Sequence, residues 1–173
     1  MSELRYGFTT GSCSAAAAKA ATYMLLTGKE KKNICIETPK GIIYSAEVLD
    51  SKRTENMASC CVIKDGGDDP DITTGAHIYA SVSLRKQKGI IIDGAKGVGR
   101  VTKPGLDQPV GNAAINSVPR KMIEKEVLEV MQLCDYQGGL EVLISIPEGE
   151  ELAAKTFNGR LGIVGGISVL GTS

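Results

Sequence analysis

Apolar positions along the chain switch between a helical and an alternating period, and the switches mark out its elements. Behind Thr9-Thr-Gly-Ser12, alanines and leucines run at helical density to about Leu26. The pattern predicts a helix with Thr10 or Ser12 as N-cap and Gly28 as its stop. Small side chains at Ala16, Ala17, Ala20 and Ala21 let such a helix approach a neighbour closely. Alternation and β-branching then predict strands over 34–37, 42–49, 57–64 and 78–85, spaced as in an antiparallel sheet. Gly89–Asp93 reads as a buried strand delivering the chain into a long connection. Behind Asn116 or Ser117 a second helix is predicted. Val118, Met122, Ile123, Val127, Val130 and Met131 recur on one face of it, while Glu124, Lys125 and Glu129 face water. Gly138-Gly139 turns into a strand from Leu140 to Ile146, followed by a short helix from Glu150 to Phe157. The last segment, Leu161 to Ser173, is apolar, and such a run of β-branched residues and glycines normally proceeds into a further element.

These elements predict an α+β fold: a single mostly antiparallel sheet with the two long helices packed on one face. At 173 residues the expectation is one domain, 1–173, large enough to bury a core without staples. The core has to be built from Ala, Val, Ile, Leu and Met, because Trp is absent and Phe occurs twice. Twenty Lys and Arg balance twenty Asp and Glu, so the bulk charge favours neither nucleic acid nor an acidic membrane. No apolar run approaches a membrane span. Five cysteines without paired spacing, behind a polar start, suit reduced thiols and a cytoplasmic location. One histidine and no CxxC pair leave no zinc set, so no metal site is expected. Homo-oligomerisation is left open.

Candidate chemistry is concentrated in three stretches. The connection from Lys96 to Arg120 carries four basic residues among glycines and prolines, and loops of that length in compact domains are usually binding or catalytic. Within it Gly94-Ala-Lys-Gly-Val-Gly-Arg-Val101 nearly matches a phosphate-binding loop. Arg100 and Val101 replace the required Lys and hydroxyl, which leaves a backbone anion nest beside Arg100 and Lys103. Lys64-Asp-Gly-Gly-Asp-Asp-Pro-Asp71 packs four carboxylates into seven residues but lacks the calcium-loop spacing. It is equally a solvated turn. Thr9, Thr10 and Ser12 offer either an anion cradle or plain capping, and His77 is either a proton carrier near the acidic loop or a satisfied core histidine. Cys13 lacks a partner base and reads as a packed residue.

Read together, Arg5–Lys19, Lys64–Ala76, Gly97–Gly105, Pro109–Arg120 and Pro147–Asn158 resemble the cobalt-precorrin-5B C1-methyltransferase family of anaerobic cobalamin biosynthesis. The resemblance runs in order along essentially the whole chain, with Ser12 and Ser14 where the family more often has Thr and Ala. It implies S-adenosylmethionine-dependent methylation of ring carbon C1 of cobalt-precorrin-5B, giving cobalt-precorrin-6A. The cobalt is carried by the substrate. The small-molecule corrinoid is ringed by carboxylates, so the resemblance gives Arg100, Lys103, Arg120 and Lys64 as their partners, with Asn116, Thr9 and Thr10 beside them. Asp69, Asp71 and His77 are the implied catalytic groups, and Asp68, Gly97, Gly99, Gly165 and Gly166 the implied donor contacts. It also implies a fold like ribosomal protein S5 domain 2. Members usually continue into a second, Rossmann-like domain, which is expected to be absent from these 173 residues. The alternative to an enzyme is a corrinoid-binding domain that relies on such a partner domain for methyl transfer. A third candidate, a sugar-phosphate or nucleotide enzyme using Gly94 to Lys103 as a phosphate nest, needs a magnesium ligand that the adjacent sequence lacks.

Overall fold

A computed structural model describes residues 7–68, 71–156 and 158–171 of the chain. The first helix, α1 (Thr10–Thr27), starts at Thr9, whose extended backbone and hydroxyl cap the Ser12 N–H at 3.0 Å. The cap is one residue earlier than the sequence expectation because Thr10 is engaged elsewhere: its hydroxyl accepts from Leu170 N at 2.9 Å. At the other end Gly28 adopts φ 73°, a left-handed turn that costs a residue without Cβ little, and its N–H closes onto Met24 O. Strands β1 (Asn33–Glu37) and β2 (Ile43–Glu47) form an antiparallel ribbon.

The expected strand over 42–49 is in fact two. Val48 turns inward, buried, and its N–H bonds Lys32 O. The chain thereby leaves the ribbon and enters the main sheet as β3 (Leu49–Arg53). That sheet is completed by β4 (Met57–Ile63), β5 (His77–Arg85), β6 (Gly89–Gly94) and, after the second long helix, β9 (Gly139–Ser145). Its order is β3-β4-β5-β9-β6, antiparallel except for the β6–β9 pair.

Between β6 and β9 (Gly139–Ser145) lie two short strands, β7 (Gly97–Val98) and β8 (Arg100–Val101), and the helix α2 (Ser117–Leu133). The 96–120 connection, expected to lack structure of its own, is pinned by pairing. Beyond α3 (Gly149–Ala154) and α4 (Asn158–Leu161), β10 (Ile163–Val164) pairs with β8 and β11 (Gly166–Ile167) with β7. The apolar end segment is thus partnered within the chain. Phe157, the expected end of the short helix, lies outside the described residues. Among the described residues the expectation of one sheet is corrected to a five-stranded sheet with three two-stranded ribbons; the α+β class stands.

Alternation along β5 sends Ile78, Ala80 and Val82 to the helix side, where all are fully buried against α1. The alanines of α1 permit close approach, and the Cys60 thiol donates to Ala17 O at 3.3 Å. Full burial of each Ile or Val contributes about 1.5–3 kcal/mol. The core therefore lies between α1, α2 and one face of the main sheet.

Candidate functional site

The other face of the main sheet is half-exposed and carries titratable groups. Cross-strand register sets Ile63 opposite His77, Cys61 opposite Tyr79, and Tyr79 opposite Ser145, so these residues share it. Asp93 opposes Leu143, two residues before Ser145, which puts it on the same face. Each main titratable group there has a partner. Tyr79 donates to Asp50 Oδ2 at 2.7 Å, and that hydrogen bond, with burial second, raises the phenol's pKa. Asp50 reaches it from a left-handed backbone, φ 50°, at a register shift in β3. Burial also raises the Cys61 thiol. His77 faces Glu148, whose Oε1 lies 2.6 Å from the His77 backbone N and 3.0 Å from Nδ1. The Arg100 guanidinium sits 2.8 Å from Asp93 and donates to Gly94 O.

A cleft of about 270 Å³ adjoins this face, because Ile63, the partner of His77, is also one of its walls. The Phe8 and Tyr44 rings stack on each other in its wall, centroids 4.3 Å apart, with Ser45, Glu47 and Asp65 adding polar atoms. Behind Tyr44, Cys13 lies 3.4 Å from the phenol oxygen, and burial pushes its thiol up to about 11. It is therefore no thiolate nucleophile at neutral pH. A larger, more apolar groove of about 310 Å³ lies elsewhere, between β1 and α2. Its Glu126 pairs with Lys19, and burial raises its carboxyl.

The acidic loop is folded back on itself. Lys64 is buried, with Nζ 3.1 Å from Asp71 Oδ1. Burial works against the Asp71 carboxylate, but bonds from the Thr73 N–H and hydroxyl and from Lys64 outweigh it and lower the pKa. Asp68 is exposed, and Asp69 lies outside the described residues, as does Pro70.

The remaining expected site residues are held by the main chain. Arg120 donates from Nε, Nη1 and Nη2 to the carbonyls of Ile115, Ile92 and Ala113. Lys103 donates to Arg160 O. Asn116 precedes α2 without a side-chain cap; Asp107, from the preceding loop, accepts from Ser117 N instead. A Cβ at Gly97, Gly99 or Gly166 would meet backbone or a packed side chain, so these glycines serve close packing around Arg100. Gly165 is open. Thr9 and Thr10 fasten the start of α1.

Glu148, Asp50, Tyr79 and the Phe8–Tyr44 pair were missed by sequence reasoning. Period-2 alternation from His77 is the signal that finds Tyr79. Among the described residues no group of His, Cys, Asp and Glu could hold a metal ion, and no helix is long and apolar enough to cross a membrane.

These features define a class: an α+β domain with a polar open sheet face and an adjoining aromatic cleft, suited to a small molecule. The profile of the CbiD family matches residues 1–173, and the chain belongs to that family. It is 54% identical, over 99% of its length, to the cobalt-precorrin-5B C(1)-methyltransferase of Thermoanaerobacter sp. (strain X514), covering 46% of that protein. With the protein of the same name from Alkaliphilus metalliredigens (strain QYMF) the identity is 51% over 99% of the chain, covering 45% of the relative. A 1.9 Å crystal structure of cobalamin biosynthesis protein CbiD from Archaeoglobus fulgidus superposes with a TM-score of 0.72 at 31% identity, covering 98% of this chain and 53% of the other. The chain thus spans about half the length of the relatives it matches.

Proposed function

We propose that this chain takes part in S-adenosylmethionine-dependent methyl transfer to C1 of cobalt-precorrin-5B, giving cobalt-precorrin-6A, within a soluble cytoplasmic pathway of cobalamin biosynthesis. The observation that carries this is the 54% identity, across nearly the whole chain, to a relative bearing that activity in its name. The corrinoid lies on the open sheet face, where Arg100, about half exposed, offers its guanidinium to a propionate or acetate, with Lys103 further along the same segment. The adjoining cleft fits the donor: the Phe8 ring, backed by buried Tyr44, gives an apolar surface for the adenine, and Glu47 and Asp65 offer acceptors for hydroxyls. When bound, the sulfonium supplies an electrophilic methyl group. Around it the chain's own residues orient C1, exclude water, and at Asp71 or His77 accept the proton released as C1 becomes quaternary. Asp68 and Asp69 of the acidic loop fix polar groups of the ligand. An arrangement like ribosomal protein S5 domain 2 is proposed for the main sheet, supported by the β6–α2–β9 crossover.

Incubating the chain with cobalt-precorrin-5B and the methyl donor and following product mass tests the function directly. Gain of one methyl group is the expected result. Corrinoid binding without donor binding instead favours a second role, a substrate-binding domain acting with a further domain, which the half-length coverage of the relatives supports. Arg100→Ala and Lys103→Ala are each expected to weaken corrinoid binding by about 1–3 kcal/mol, read from absorbance titrations. Unchanged titration curves remove both from the site.

A further inference from the structure

We infer that Glu148 is the positioning residue of a proton-accepting His77, an assignment that rests on the methyl-transfer function proposed above. One carboxylate oxygen, Oε1, meets both the backbone N and the ring Nδ1 of His77, at 2.6 and 3.0 Å. An ionised carboxylate only accepts, so both nitrogens donate to it. Nδ1 therefore carries the ring hydrogen and Nε2 the lone pair. The double attachment fixes the ring as well as its tautomer, because the oxygen that holds the imidazole also holds the main chain from which it hangs.

Glu148 is itself rigidly placed. It follows Pro147 at the exit of β9, and the next residue, Gly149, donates to Ile146 O and packs so tightly on Gly97 that a Cβ there would overlap the Gly97 carbonyl. His77 opens β5 opposite Ile63, which walls the aromatic cleft, so the imidazole stands where the open face and the cleft meet. The other titratable groups on that face include Tyr79, which donates to Asp50, Cys61 beside it, whose thiol burial raises, Asp93, paired with Arg100 at 2.8 Å, and Glu141, opposite Ser83 towards the far end of β5. Tyr79 and Cys61 are no ready bases, Asp93 is held by its ion pair, and Glu141 stands two cross-strand pairs beyond Tyr79. Lys64, one residue past β4, is paired with Asp71.

The step balances. The S–CH3 bond breaks with its pair left on sulfur, and a π pair of the macrocycle forms the new C–C bond. The macrocycle then holds one proton in excess, and Nε2 takes it. The resulting imidazolium faces the Glu148 carboxylate across the 3.0 Å contact, which holds the charge in place.

The chain has one histidine, so labelling with 15N-histidine gives a single imidazole spectrum whose nitrogen shifts and two-bond couplings report the tautomer of the neutral ring. The native chain is expected in the Nδ1–H form. E148A is expected to shift the ring towards the Nε2–H form, and E148Q, whose amide oxygen still accepts, to restore the native pattern. If E148A does not fold by circular dichroism, E148D, with its carboxylate withdrawn by one methylene, replaces it. In turnover, E148A is expected to lower kcat about tenfold with KM within about twofold. A folded E148A with the native tautomer overturns the positioning role, and a tautomer change with native kcat overturns the proton-accepting role. The spectrum needs no turnover, so a chain that fails to methylate refutes the proposed function while the spectrum still decides the fate of Glu148.

Discussion

Arg120 shows at the scale of one side chain how a basic residue can serve the scaffold around a site. Its three donated hydrogen bonds tie the start of α2 to β6 and to the connection before it, so its charge is directed at the main chain. Asp71 is different: it is mostly exposed, and its partners lower its pKa in the folded protein. A folded state that holds a proton less tightly than the unfolded chain gains stability from that group above the ordinary carboxylate pKa, about 4, and loses it as the pH falls through the depressed value. Asp71→Asn is therefore expected to melt at a lower temperature than the native chain near neutral pH. The gap should narrow as the pH falls below about 4 and through the depressed value, followed by thermal denaturation in a pH series. A gap independent of pH would mean that the loop holds Asp71 by its shape alone.

Among the elements, the junction of β7, α3 and β11 is closely packed. Gly97 has φ 80°, and a Cβ on it would fall on the Ile146 carbonyl. Gly97→Ala is expected to destabilise the fold by about 2–4 kcal/mol, measured by urea unfolding, through strain and overlap together. The same junction shows where sequence reasoning stops. The periods of α1, α2, β4, β5 and β9 are long enough to read, and each lies within two residues of its expected bounds. Two-residue strands have no period, so the pairing of 97–101 with 163–167 left no local trace and the connection read as a loop. Likewise the break at Val48 is set by which sheet each half joins. His77 was legible as a candidate because it is the chain's sole imidazole, whereas Glu148 is 71 residues away and reaches it only through the β5–β9 pairing. The same is true of Asp50 and Tyr79, which a register shift in β3 brings together.

Over the whole molecule, α1 is the central post, with the main sheet, the first ribbon and α2 arranged around it, and three of the five cysteines lie buried in or beside that assembly. Native-state labelling with an aromatic disulfide should therefore modify exposed Cys35 first and half-buried Cys134 more slowly. Cys13, Cys60 and Cys61 should react only on unfolding, since burial pushes the first two up to about 11 and about 12 and shields all three. Fast modification of Cys60 would mean that α1 lifts from the sheet. The helix is also stitched at its first turn to the far end of the sequence, through Thr10 and Gly11 to Leu170. On a ribosome adding roughly 5–20 residues per second, that stitch has to wait some ten to thirty seconds after Thr10 is polymerised. A nascent chain stalled before Leu170 leaves the first turn of α1 without these bonds, and its start open to fraying.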